Sequence, residues 1–70
     1  MHRPNSKILK VERALRAADI TVAELRRRAP VDGGLWSRWK RSLVEPRPET
    51  WQRVLETADR MIAERRGRAA

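Results

Sequence analysis

Seventy residues carrying 17 Lys+Arg against 9 Asp+Glu make a small, strongly basic chain with net charge +8 and pI about 11.6. That length allows one domain with a modest core, whose stability a second copy or a ligand would raise. The absence of cysteine excludes disulfides and thiolate metal sites and suits a reducing cytosol; no apolar run reaches membrane-spanning length, and Met1-His2-Arg3-Pro4 does not lead into a signal-peptide core.

Strand signals are absent and helix signals dominate. Asn5 or Ser6 caps a first helix over about 7–18, in which Ile8, Val11, Leu15 and Ala18 recur at helical spacing until Asp19-Ile20 breaks the pattern. Thr21-Val22-Ala23-Glu24 is a capping box opening a second helix over about 22–29, with Val22, Leu25 and Ala29 facing inward and Pro30 ending it. Asp32 caps a third helix over about 33–42. Its apolar side is Leu35, Trp36, Trp39 and Leu43, and its opposite stripe, Gly34, Ser37, Arg38 and Arg41, is polar throughout. After the rigid connector Val44–Pro48, with Pro48 suited to a first helical position, a long last helix runs to about Arg66, where Gly67 is placed to end it. Residues 1–5 and 67–70 are expected to fray. The expected architecture is a single all-α domain of four to five helices spanning residues 1–70.

Two short helices joined by a tight turn and flanked by apolar helices resemble the helix-turn-helix core of the lambda-repressor-like (Cro- and Xre-type) regulators of phages and bacteria, over roughly residues 8–62. Leu25-Arg26 stands for the family's Leu-Ala pair, Pro30 for its turn glycine, Val31 for the apolar turn residue and Asp32 for the cap; Trp36 and Trp39 are the buried pair. Arg47-Pro48-Glu49-Thr50 resembles the opening of the family's next helix, and Thr50-Trp51-Gln52-Arg53-Val54 is similar to short phage-type members. The chain departs from the pattern in three places. Pro30 cannot take positive φ, so the bend is expected on Gly33 or Gly34. Lys40 and Ser42 replace a common Glu and Gly, and Gly33-Gly34 occupy the first two reading positions.

The resemblance implies a cytoplasmic, nucleoid-associated regulator of transcription whose partner is double-stranded DNA, with the third helix in the major groove. All but three of the 17 cations are arginine, whose planar fork suits phosphate and guanine edges, although excess cations also simply solubilise small domains. Ser37, Arg38 and Arg41 face away from the core and are the expected base readers. Thr21, Arg27, Arg28, Lys40 and Arg47 at the motif's edges are the expected phosphate contacts. Arg26 borders the inward stripe and is only partly available. Gly33 and Gly34 either shape the turn or let the helix start approach a phosphate. Tryptophans also serve as base-stacking platforms, but their spacing with Leu35, Val54 and Leu55 favours core packing.

One such motif has a small footprint, so a homodimer on two half-sites, or cooperation with RNA polymerase or another regulator, is expected. Met61 and Ile62 are the candidate dimer face, and equally a closure of the domain's own core. No enzyme and no cofactor is expected. The only histidine, His2, lies at the terminus, and the carboxylates fall at helix spacing from cations, as Glu12/Arg16, Glu49/Arg53 and Glu56/Arg60. The competing readings are a protein–protein adaptor on the same fold, which the two glycines favour, and a non-specific nucleic-acid binder.

Overall fold

The computed structural model describes residues 3–69; Met1, His2 and Ala70, part of the ends expected to fray, lie outside them. The described residues form four helices and no strand: α1 (Ser6–Ala17), α2 (Val22–Arg28), α3 (Gly33–Lys40) and α4 (Pro48–Ala69). Among them, no helix is long and apolar enough to cross a membrane.

Each helix start follows from local chemistry. The Asn5 side chain accepts from the Lys7 amide at 3.2 Å, opening α1. The capping box of α2 is complete: Thr21 Oγ accepts from the Glu24 amide at 3.2 Å and Glu24 Oε2 accepts from the Thr21 amide at 3.0 Å. Asp32 Oδ2 takes the Gly34 and Leu35 amides at 2.9 and 3.2 Å, opening α3. Pro48 stands at the first position of α4.

Two helix ends share one device. After α1, Asp19 adopts φ 58°, its amide reaching the Arg16 carbonyl and the Ile20 amide the Leu15 carbonyl. After α3, Ser42 adopts φ 61°, its amide reaching the Trp39 carbonyl and the Leu43 amide the Arg38 carbonyl. Both are Schellman closures on a residue other than glycine. The second stops α3 at Lys40, short of the expected boundary near 42, and turns Leu43 outward. Leu43, expected on the apolar side, is 46% exposed.

Between α2 and α3 the chain bends without any left-handed residue. Pro30 forces Ala29 out of the helical region to φ −106°, ψ 92°, and Asp32 is also extended. Neither Gly33 nor Gly34 has positive φ, so the bend does not fall on them; both lie within the first turn of α3.

The core draws Ile8, Val11 and Leu15 from α1, Leu25 from α2, Trp36 and Trp39 from α3, and Val54, Ala58 and Met61 from α4, with Ile20, Ala29 and Val31 from the connections. Trp39 is the centre of an aromatic group, tilted on Trp36 at 5.8 Å and edge-on to Trp51 at 6.2 Å. Helix α1 packs on both α3 and α4, and α2 packs on α4.

The described residues next to both ends take defined contacts. Asn5 is buried, its amide bonded to the Lys40 carbonyl at 2.9 Å and its side-chain amide to Glu45 Oε1 at 3.0 Å. The Arg3 carbonyl accepts from Ser42 Oγ at 2.7 Å, so residues 3–5 close over the end of α3. Helix α4 continues through Gly67, which lacks the left-handed backbone that would stop it. Met61 is a core residue, 8% exposed, so the surface expected around Met61 and Ile62 reduces to Ile62, half-buried against the core.

Candidate nucleic-acid interface

The polar stripe of α3 is where the sequence places it. With Trp36 and Trp39 locked inward, Ser37 and Arg38 emerge on the opposite side of the helix, with Arg41 just past its end, and all three are exposed. Arg38 Nε donates to the Gly34 carbonyl at 3.3 Å, which lays its side chain back along the first turn of α3.

The expected cations divide into two groups. Arg28 Nη1 donates to both oxygens of Glu64 at 2.9 and 3.1 Å, tying α2 to α4. Lys40 Nζ lies 3.0 Å from Glu12 Oε1, tying α3 to α1. For these two, a phosphate would have to compete with a carboxylate. Arg27, Arg38, Arg41 and Arg47 have no carboxylate within ion-pair distance among the described residues. Thr21 is exposed, but its hydroxyl is engaged in the capping box beside the Glu24 carboxylate.

The carboxylates do not pair along their own helices. Among the described residues the ion pairs are Lys7–Glu45, Arg28–Glu64, Lys40–Glu12 and Arg65–Glu24, each between different segments of the fold. Glu12 is turned from Arg16 by a better partner set: its carboxylate also accepts from Trp36 Nε1 at 3.0 Å, and its side chain is only 12% exposed. Four carboxylates, Glu12, Glu24, Glu45 and Glu64, are thereby drawn to the seams of the fold, while Asp32 caps the start of α3 beside Gly34.

Gly33 and Gly34 have a role that the sequence does not reveal. The Gly34 amide is already taken by Asp32, so this helix start does not offer it to an anion. Instead, a Cβ built on Gly33 would meet Arg26 Nη1 at 2.9 Å, and one on Gly34 would meet the capping Asp32 Oδ2 at 2.9 Å, with Arg38 Nη2 farther off at 3.8 Å. The first turn of α3 therefore lies under the Arg26 guanidinium from α2 at Gly33, and against the Asp32 carboxylate with the Arg38 guanidinium beyond it at Gly34. Arg26 carries only a faint signal in the sequence. The available signal was an arginine where the resembled family carries a small residue, matched by a residue without a side chain seven positions on.

Among the described residues, no group of three or more His, Asp or Glu side chains is placed to hold a metal ion. In comparisons with known proteins, no protein-family model, curated protein or solved structure matches the chain.

Proposed function

We propose that the chain is a sequence-specific double-stranded DNA-binding regulator of the lambda-repressor-like helix-turn-helix class. In this reading α2 crosses the phosphate backbone and α3 lies in the major groove. One observation carries it: α3 buries its tryptophans on one side and presents Ser37, Arg38 and Arg41 exposed on the other, the two arginines with no carboxylate within ion-pair distance among the described residues. An arginine fork matches the O6 and N7 acceptors of guanine, which makes Arg38 and Arg41 the direct readers and Ser37 a minor one. Arg27 and Arg47 supply phosphate contacts that set register without reading sequence. The site of action is nucleoid DNA in the cytoplasm, and a second copy on a neighbouring half-site, or RNA polymerase, would enlarge the small footprint.

The test is selection from a randomised duplex pool by the full chain. An enriched motif that Arg38→Ala relaxes at one position supports the reading. Duplex binding with no enriched motif favours a non-specific binder. No duplex binding at moderate salt removes both and leaves the adaptor reading.

A further inference from the structure

The first turn of a groove-binding helix is the part that approaches base edges, and here that turn begins Gly33-Gly34, with no side chain to offer. The space is not vacant. The Arg26 guanidinium, carried across from α2, lies over Gly33, with Nη1 2.9 Å, Cζ 3.4 Å and Nη2 3.7 Å from the point a Cβ would occupy. An alanine there would displace the group. We propose that Arg26 is a specificity-determining residue, reading a guanine edge beside the one read by Arg38 in place of the side chain that position 33 lacks. This rests on the DNA-binding reading above.

Three observations support it. Arg26 is half-buried, and its guanidinium lies against the start of α3 at Gly33. Among the described residues its guanidinium has no carboxylate within ion-pair distance and no side-chain hydrogen bond, so its donors are free for a ligand. Arg38 lies back toward the same turn through its bond to the Gly34 carbonyl, so one fork borders each glycine, with the Asp32 carboxylate also against Gly34. A guanine edge offers O6 and N7 in one plane to such a fork, as a phosphate offers two oxygens, and only the guanine contact makes binding depend on sequence.

The experiment repeats the pool selection with Arg26→Ala, Arg26→Lys and Gly33→Ala, each checked for folding by thermal unfolding. Arg26→Ala is expected to lose discrimination at one base pair by roughly tenfold to hundredfold, at a position distinct from the one Arg38→Ala relaxes. Arg26→Lys keeps the charge but loses the fork. It should retain affinity for random duplex and lose the same base preference, which also covers the case in which the alanine variant fails to fold. Gly33→Ala should relax that same position by pushing the fork aside, and combining it with Arg26→Ala should add little. If the wild type enriches a motif that all three variants preserve, or if Arg26→Ala and Arg26→Lys weaken every sequence alike, Arg26 is not a reader and this inference alone fails. If the wild type enriches no motif, the sequence-specific reading fails and the inference falls with it.

Discussion

The Glu12 carboxylate accepts the indole N–H of Trp36 at 3.0 Å through one oxygen and meets the Lys40 ammonium at 3.0 Å through the other. Trp36 and Lys40 are one turn apart on α3, so a single side chain of α1 fixes the rotation of α3 about its own axis. That rotation decides which residues of α3 face outward. Glu12→Ala leaves the buried indole N–H without an acceptor and is expected to cost about 1–3 kcal/mol in denaturant unfolding. Glu12→Gln retains an acceptor and should cost less. It also releases Lys40, so under the DNA-binding reading it should strengthen binding to all duplexes alike and steepen the salt dependence by about one unit.

Arg28 and Arg27 are neighbours in sequence with different expected roles. Arg28 is bound by Glu64, and both partners are about half exposed, so Arg28→Ala should change stability by less than about 1 kcal/mol. Its effect on duplex affinity should be small as well. Arg27 has no such partner, and Arg27→Ala should weaken every duplex alike and lower the salt slope by about one. Titrations of both variants at several salt concentrations check the pair; equal losses would show that Glu64 gives up Arg28 on binding.

Asp19 and Ser42 hold left-handed backbone at φ 58° and 61°, where glycine carries no steric penalty. Asp19→Gly should raise stability by about 0.5–1 kcal/mol, seen as a higher melting temperature. Ser42→Gly should gain less, because it deletes the hydroxyl that donates to the Arg3 carbonyl at 2.7 Å. A fall in melting temperature for Asp19→Gly would mean that its carboxylate contributes more to the α1 end than the strain costs.

The parts of this fold legible in the sequence are those decided within a few residues. The Thr21/Glu24 box, the Asp32 cap and the inward spacing of Trp36 and Trp39 depend only on neighbours along the chain. Helix α3 ends two residues before the expected boundary because apolar spacing runs on to Leu43, while a left-handed Ser42 stops the helix first. The partners of Glu12 were illegible for a different reason. Arg16 lies at helix spacing from it, but Trp36 and Lys40 reach it only once α3 packs on α1. Gly33-Gly34 failed as turn residues because Pro30 bends the chain by holding Ala29 extended, a restriction that needs no left-handed residue. What the glycines accommodate, the Arg26 head, comes from another helix.

Asp32 sets two effects against each other. Its carboxylate caps the amides of Gly34 and Leu35, yet places negative charge at the end of α3 that the DNA-binding reading brings into the groove. Asp32→Ala should cost about 0.5–2 kcal/mol of stability through loss of the cap. Asp32→Ser keeps a capping oxygen without the charge, so it should remain near wild type in unfolding experiments. If α3 does approach DNA, Asp32→Ser should bind duplex more tightly than wild type, most visibly at low salt where the carboxylate repels phosphate most strongly. Equal or weaker binding by a folded Asp32→Ser protein would place the first turn of α3 away from the DNA backbone. It would also contradict major-groove docking through this end of the helix.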